Sequence, residues 1–257
     1  MIPSTPAIDR SRSRCFAPSM VSLGRNLIVG LLLISAVPPP SAAAHSDPRA
    51  VAIAEHVLQA MGGREAWDAT RYLKWSFFGR RTHTWDRETG DLRIEDGDRV
   101  VLMNVRTRAG RVFDKGVEIT DPGAKGEALE TGYAQWINDS YWLLMPYKML
   151  DPGVNLVYED ESALPDGRPA DRLGLTFEPG TGLTPANRYD VWVARDTGLV
   201  EQWAYYADAA DAEPKFTLPW AGWKRCGKVL LSTDRGRDAP IEAEAPGTLP
   251  RSVFEKP

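Results

Sequence analysis

The chain has 257 residues, of which 43% are hydrophobic and 26% charged, and its formal net charge is −4. An acidic chain without a long basic run argues against a nucleic-acid-binding protein. Its two cysteines are Cys15 and Cys226, and Cys15 lies in a segment that we expect to be removed. An internal disulfide is therefore excluded, and Cys226 is expected to be a small buried apolar side chain.

Residues 1–44 have the pattern of a secretory signal peptide. The apolar run at 27–37 has eleven residues, whereas a transmembrane helix needs roughly 20. Arg25 precedes the run, and the alanines at 42–44 form a small-residue cleavage site. We predict a single mature domain over 45–257, with no membrane-spanning segment, in the periplasm.

Two details of this segment matter. Translation from Met20 instead of Met1 would give a more ordinary length before the apolar run, so either start is open. Removal of 1–44 takes away four arginines and one aspartate, which changes the formal net charge from −4 to −7.

The mature chain is predicted to begin with a helix. Asp47 is a good N-cap and Pro48 suits the first turn, while the glycines at 62–63 predict the end. A short second helical turn over 63–70 would carry Trp67.

An antiparallel meander is predicted on both sides of the middle of the chain. Short runs of alternating apolar residues begin at Tyr72 and are separated by turn signals at 89–90, 96–97 and 196–198. Residues 248–254 are predicted to add a last edge strand. The pattern indicates roughly ten strands against two or three helices.

The densest aromatic segment, 130–153, is predicted to interrupt the meander with a helix over about 125–145. Pro146 is expected to end this helix because proline cannot continue it. Five apolar residues fall at helical spacing, and we expect this stripe to lie against a sheet. They are Tyr133, Trp136, Ile137, Tyr141 and Leu144.

Three stretches, 56–70, 80–95 and 136–153, together with this order of elements, resemble the bacterial lipoprotein carriers LolA and LolB. More closely, the chain looks like a secreted branch of that superfamily. The resemblance implies a mainly β (α+β) fold. This would be a curved, unclosed antiparallel half-barrel with helices packed on its concave side.

One combination of residues could support catalysis. His83 could act as a base oriented by Asp86 or Asp139, although we expect His83 and Asp86 to be outward polar residues of a strand. The polar segment 138–140 could face a cavity mouth, or its side chains could bond the neighbouring backbone, which we favour. We predict no enzyme, no metal site and no cofactor.

Aromatic residues that cannot all face one sheet predict an apolar cavity. Its occupant would be an acyl chain, another lipid or a lipoprotein, held by a monomer. Lys148 would meet a carboxylate or phosphate head group, unless it is simply solvated. The alternatives are an envelope interaction module whose half-barrel is filled, and an enzyme of unknown reaction. The predicted ligand-binding residues are Trp75, Phe77, Trp136, Tyr141, Trp142, Met145, Tyr147 and Lys148.

Overall fold

The computed structural model describes residues 46–257, so the predicted signal peptide at 1–44 lies outside the described residues. The helices are α1 (Pro48–Ala60), α2 (Gly63–Asp68), α3 (Pro122–Lys148) and a C-terminal 3₁₀ helix (Arg251–Phe254). The first strands are β1 (Tyr72–Phe77), β2 (Arg81–Asp86), β3 (Asp91–Asp96), β4 (Arg99–Asn104), β5 (Gly110–Asp114) and β6 (Val117–Glu118). After α3 come β7 (Val154–Ala163), β8 (Pro169–Phe177), β9 (Arg188–Ala194), β10 (Val200–Tyr206), β11 (Phe216–Pro219), β12 (Ala221–Cys226), β13 (Val229–Asp234) and β14 (Glu242–Glu244).

The strands of 46–257 form three antiparallel sheets. A seven-stranded sheet has the order β14-β1-β2-β3-β4-β5-β6, a five-stranded sheet has the order β11-β10-β9-β8-β7, and β12 pairs with β13. Because neither large sheet closes on itself, the predicted class of an unclosed, mainly β half-barrel is confirmed. The strands number fourteen within 46–257, rather than the ten predicted.

The start of the chain follows its local sequence signals. The Asp47 carboxylate accepts a hydrogen bond of 2.8 Å from the Arg49 backbone N–H, as an N-cap should. Gly62 has φ of 121°, a backbone angle that glycine adopts without strain, and it separates α1 from α2. Both predicted helical segments are confirmed, and Cys226 is buried as expected.

The predicted edge strand at 248–254 is wrong. The open edge of β1 is taken instead by β14, whose Ala243 pairs with Trp75 and is 2% exposed. The C-terminal residues form a 3₁₀ helix, and the Phe254 ring stacks on Tyr72 at 6.4 Å between centroids. The edge of β1 can pair with only one further strand. Because β14 occupies this edge and buries Ala243, residues 248–254 cannot pair there.

The predicted end of α3 is also wrong, because the helix continues through Pro146 to Lys148. Proline has no N–H, so the carbonyl of Trp142, four residues earlier, loses its helical partner. That carbonyl accepts a 2.7 Å hydrogen bond from Nη2 of Arg235, whose side chain is fully buried. The arginine lies 3.4 Å above the Trp220 ring. A distant side chain thus replaces the missing backbone donor.

The helix α3 packs against β4 and β5 of the seven-stranded sheet and against β13. Its close approach depends on Gly132, where an added Cβ would lie 3.2 Å from Val101 Cγ1 and 3.4 Å from Ile94 Cδ1. Ala128 and Leu129 extend the same contact one turn earlier. No helix within 46–257 combines the length and apolar character needed to cross a bilayer.

Candidate functional site

A cavity of about 700 Å³ opens between α3, the strands β9 to β11 and the loop at 178–187. This volume lies within the range of small-molecule sites, about 300–1,000 Å³. Twelve of its lining residues are aromatic, with aliphatic and polar groups between them. The aromatic lining residues are Trp67, Trp85, Tyr133, Trp136, Tyr141, Trp142, Tyr147, Phe177, Tyr189, Trp203, Tyr205 and Phe216.

The apolar stripe of α3 faces this cavity, and the expectation that it lies against a sheet is confirmed. Tyr133 and Trp136 pack on the core residues of β3 to β5, and Tyr141 contacts Tyr189 of β9. Tyr133, Trp136, Ile137, Tyr141 and Leu144 all line the cavity, and all except Leu144 remain partly exposed. Ala128, Leu129 and Gly132 complete the contact of α3 with the seven-stranded sheet. The stripe therefore lies between the cavity and the sheets.

The aromatic wall near the middle of α3 is a connected set of rings. The Trp142 ring meets Trp203 edge-on at 4.8 Å, and Trp203 stacks on Tyr189 at 5.5 Å. Tyr141 contacts Tyr189 at 5.0 Å. Rings in these geometries stabilise one another beyond their area burial and hold a defined surface.

Of the eight predicted ligand-binding residues, five line the cavity and three do not. The five are Trp136, Tyr141, Trp142, Tyr147 and Lys148.

The other three lie behind the cavity wall, in the core. Trp75 is 1% exposed and stacks on the His83 ring at 4.7 Å. Phe77 is 8% exposed and meets the Trp142 ring at 6.1 Å, so it supports a lining residue from behind. Met145 is fully buried in the main core cluster, which leaves no freedom to follow the shape of a ligand.

Three tyrosines of the wall, Tyr141, Tyr147 and Tyr189, stay neutral over the physiological pH range. Burial raises the pKa of Tyr189 to about 12 and raises the pKa of Tyr141 well above its usual value. The pKa of Tyr147 is also raised by burial, and its hydroxyl lies 2.8 Å from the Leu230 carbonyl oxygen. These rings present apolar faces and hydroxyls rather than charges.

Three charged side chains line the cavity, namely Arg87, Lys148 and Asp151. Lys148 forms an ion pair with Asp151, three residues further along the chain. Arg87 pairs with no carboxylate of 46–257 within 4.0 Å, although its Nη1 donates to the carbonyls of Trp67 and Thr70 at 2.6 and 2.5 Å. The sequence analysis missed Arg87, since an arginine at a strand end carries no local signal.

The polar segment 138–140 takes both of the roles considered for it. Asn138 and Ser140 line the cavity, and the Ser140 hydroxyl donates to the Ile137 carbonyl at 3.2 Å. Asp139 points the other way and is fully buried.

Asp139 lies within a buried polar cluster that joins α3 to β2. Its carboxylate accepts two 2.9 Å bonds from Arg81 and lies 2.7 Å from His83 Nε2. Burial by itself would raise the pKa of the Asp139 carboxyl, but the hydrogen bonds from His83, Arg81 and Asn138 outweigh it and lower that pKa.

The expectation that His83 and Asp86 point outward is therefore wrong, because both residues are buried. Asp86, the other acid considered, pairs with Arg71 at 2.8 Å. His83 and Asp139 do meet, but neither lines the cavity. Their arrangement fastens the helix to the sheet.

The comparisons with known proteins give structural similarity only. No protein family model matches the sequence, and no curated protein sequence matches it. A LolA superfamily protein from Nitrosomonas europaea is similar in structure, with 9% identity, a TM-score of 0.36, and coverage of 80% of this chain and 96% of that chain.

Two further structures are similar at the same level. A proposed outer membrane lipoprotein-sorting protein domain from Vibrio parahaemolyticus is 10% identical, with a TM-score of 0.33 and coverage of 78% and 97% of the two chains. MucB in complex with MucA is 17% identical, with a TM-score of 0.21, and the match covers 61% of this chain and 48% of MucB. The chain is therefore similar to LolA superfamily structures, at TM-scores too low to carry an argument about function.

Proposed function

We propose that the protein is a periplasmic binding protein that holds an apolar ligand, such as an acyl chain or another lipid, in the cavity beside α3. The observation that carries this proposal is the direction of the apolar stripe. Tyr133, Trp136, Ile137 and Tyr141 line a 700 Å³ space and keep partial exposure there, although Tyr133, Trp136 and Tyr141 also pack against core residues. A protein rarely leaves apolar surface of this kind without a use for it.

The interaction module without a ligand cavity is the less favoured alternative, because a filled half-barrel would have no space of this size. An enzyme of unknown reaction has less support. The histidine–carboxylate pair of the chain is buried away from the cavity, and the carboxylate that does line the cavity, Asp151, is paired with Lys148. We propose no reaction and no cofactor.

A variant that fills the cavity tests the proposal. Ala134 lines the cavity and is exposed, so the Ala134→Trp variant is expected to block ligand entry without disturbing the core. Hexadecan-1-ol, titrated into delipidated protein, should change tryptophan emission and raise the melting temperature of the parent protein. At 100 times its Kd, a ligand stabilises the native state by about 2.7 kcal/mol.

The matched control is Thr131→Trp, an exposed position on the same helix outside the cavity lining. It should bind hexadecan-1-ol like the parent, while Ala134→Trp should bind at least tenfold more weakly. Native mass spectrometry of the protein purified from its own compartment should show a lipid that Ala134→Trp lacks. Absence of emission change, thermal shift and co-purified lipid in the parent would refute the proposal.

A further inference from the structure

Arg87 is the cavity-lining cation whose charge is not already paired. The other lining cation, Lys148, has Asp151 beside it, whereas none of the carboxylates in 46–257 lies within 4.0 Å of the Arg87 guanidinium. The carboxylates of Asp68 and Asp151 act on Arg87 only from beyond 4.0 Å, so no contacting charge replaces the hydration that this half-buried cation loses. An anion in the cavity would supply the missing partner.

The guanidinium is held in a defined position. Its Nη1 bonds the Trp67 and Thr70 carbonyls, and its carbon atom Cζ lies 3.7 Å from the centroid of the Trp67 ring and 5.9 Å from that of Trp85. These contacts use one of the three guanidinium nitrogens. Nε and Nη2 make no hydrogen bond to the residues of 46–257, so they are available to donate to a carboxylate or phosphate.

The surroundings of Arg87 favour an amphiphile over a small free anion. Trp85 lies in edge contact with Trp136 of α3 at 5.2 Å, so the guanidinium adjoins the apolar stripe. Burial lowers the pKa of Arg87, yet it remains protonated at neutral pH as arginines do.

We propose that Arg87 recognises the anionic head of a single-chain amphiphile whose tail lies along the aromatic wall of α3. This proposal rests on the ligand cavity of the proposed function and adds the chemical class of the ligand. Carboxylate and phosphate heads share the required chemistry, namely an anionic oxygen that accepts from the guanidinium.

The test compares probes with one chain length and different heads, namely hexadecanoate, hexadecyl phosphate and hexadecan-1-ol. The two anions are kept below their micelle concentrations and the alcohol below its solubility limit. The parent protein should bind at least one of the two anions about tenfold more tightly than the alcohol, the gain that a charge-assisted hydrogen bond produces. The stronger of the two anions identifies the head group.

Arg87→Gln should remove this preference, so that neither anion binds the variant more tightly than hexadecan-1-ol does. Arg80→Gln, an exposed arginine outside the cavity lining, makes the same charge change and should keep the preference. Because Arg87 also bonds two backbone carbonyls, Arg87→Lys provides a second variant. It keeps the charge but loses the fork of donors, so it should retain part of the preference.

The outcomes separate the two proposals. If the alcohol binds and neither anion binds more tightly, the anionic-head proposal is wrong and the ligand cavity stands. The assignment to Arg87 is also overturned if Lys148→Gln abolishes the preference as fully as Arg87→Gln. If no probe binds the parent protein, the proposed function itself fails.

Discussion

Asp139 joins α3 to the seven-stranded sheet through two side chains of β2. Replacing it with asparagine leaves Arg81, only 16% exposed, without its carboxylate partner. Removal of one partner from a buried pair costs about 3–5 kcal/mol. We expect the free energy of unfolding of Asp139→Asn at pH 7, measured by urea denaturation, to be lower than that of the parent by this amount.

The same loss should depend on pH. Because the folded-state pKa of Asp139 is lowered, its stabilising effect is complete above the unfolded value of about 3.9 and disappears as the pH falls through the folded pKa. The difference between parent and variant should therefore shrink below about pH 4. Asp114→Asn, in a half-exposed pair with Arg99, should cost no more than about 1 kcal/mol. A similar loss in both variants would contradict the buried-pair interpretation.

The contribution of Arg235 to stability is expected to depend on Pro146, a residue remote from it in sequence. In the parent, Arg235 supplies the donor that Pro146 lacks, and burial lowers the pKa of the guanidinium to about 9. In a Pro146→Ala background the alanine N–H can bond Trp142. We expect Arg235→Met to cost about 1–3 kcal/mol less in that background. A double-mutant cycle of urea unfolding measures this coupling, and strictly additive effects would exclude it.

At the scale of one element, α3 is positioned by a glycine. Gly132→Leu would drive a side chain into Val101 and Ile94, and overpacking of this kind costs about 1–3 kcal/mol. Gly126 lies in the same helix with nothing within 4 Å of its added Cβ. Gly126→Leu should therefore stabilise the protein by up to about 1 kcal/mol through helix propensity. Thermal unfolding of the two variants checks the contact at Gly132. We expect Tm to fall in Gly132→Leu and to rise in Gly126→Leu, and equal shifts would contradict the contact.

At the scale of the whole molecule, the secretory prediction concerns a segment outside the described residues. The protein collected from the periplasm should begin at His45, because the residues at 42–44 fit signal peptidase cleavage. N-terminal sequencing of the mature protein gives the answer directly, and sequencing of the unprocessed cytoplasmic precursor distinguishes a start at Met1 from one at Met20. A mature protein that retains 1–44 would show the prediction to be wrong.

Local chemistry determined much of the fold from the sequence alone. The N-cap at Asp47, the glycine turn at Gly97 between β3 and β4, and the turn at Gly198 between β9 and β10 all stand where the sequence predicts them. Alternation of apolar residues was enough to predict the mainly β class. Such signals depend on residues a few positions apart, so no knowledge of distant contacts is needed.

The tertiary structure alone decided the direction of α3 and the composition of the site. Helical spacing defines a stripe, but only the packing of Gly132 and the buried Asp139 places that stripe toward the cavity. The continuation through Pro146 depends on Arg235, 93 positions from the carbonyl that it bonds. Arg87 has no contacting counterion within 46–257 because folding places Asp68 and Asp151 beyond 4.0 Å from it. Each of these features depends on contacts between residues far apart in sequence. Periodicity and turn chemistry report only on residues a few positions apart.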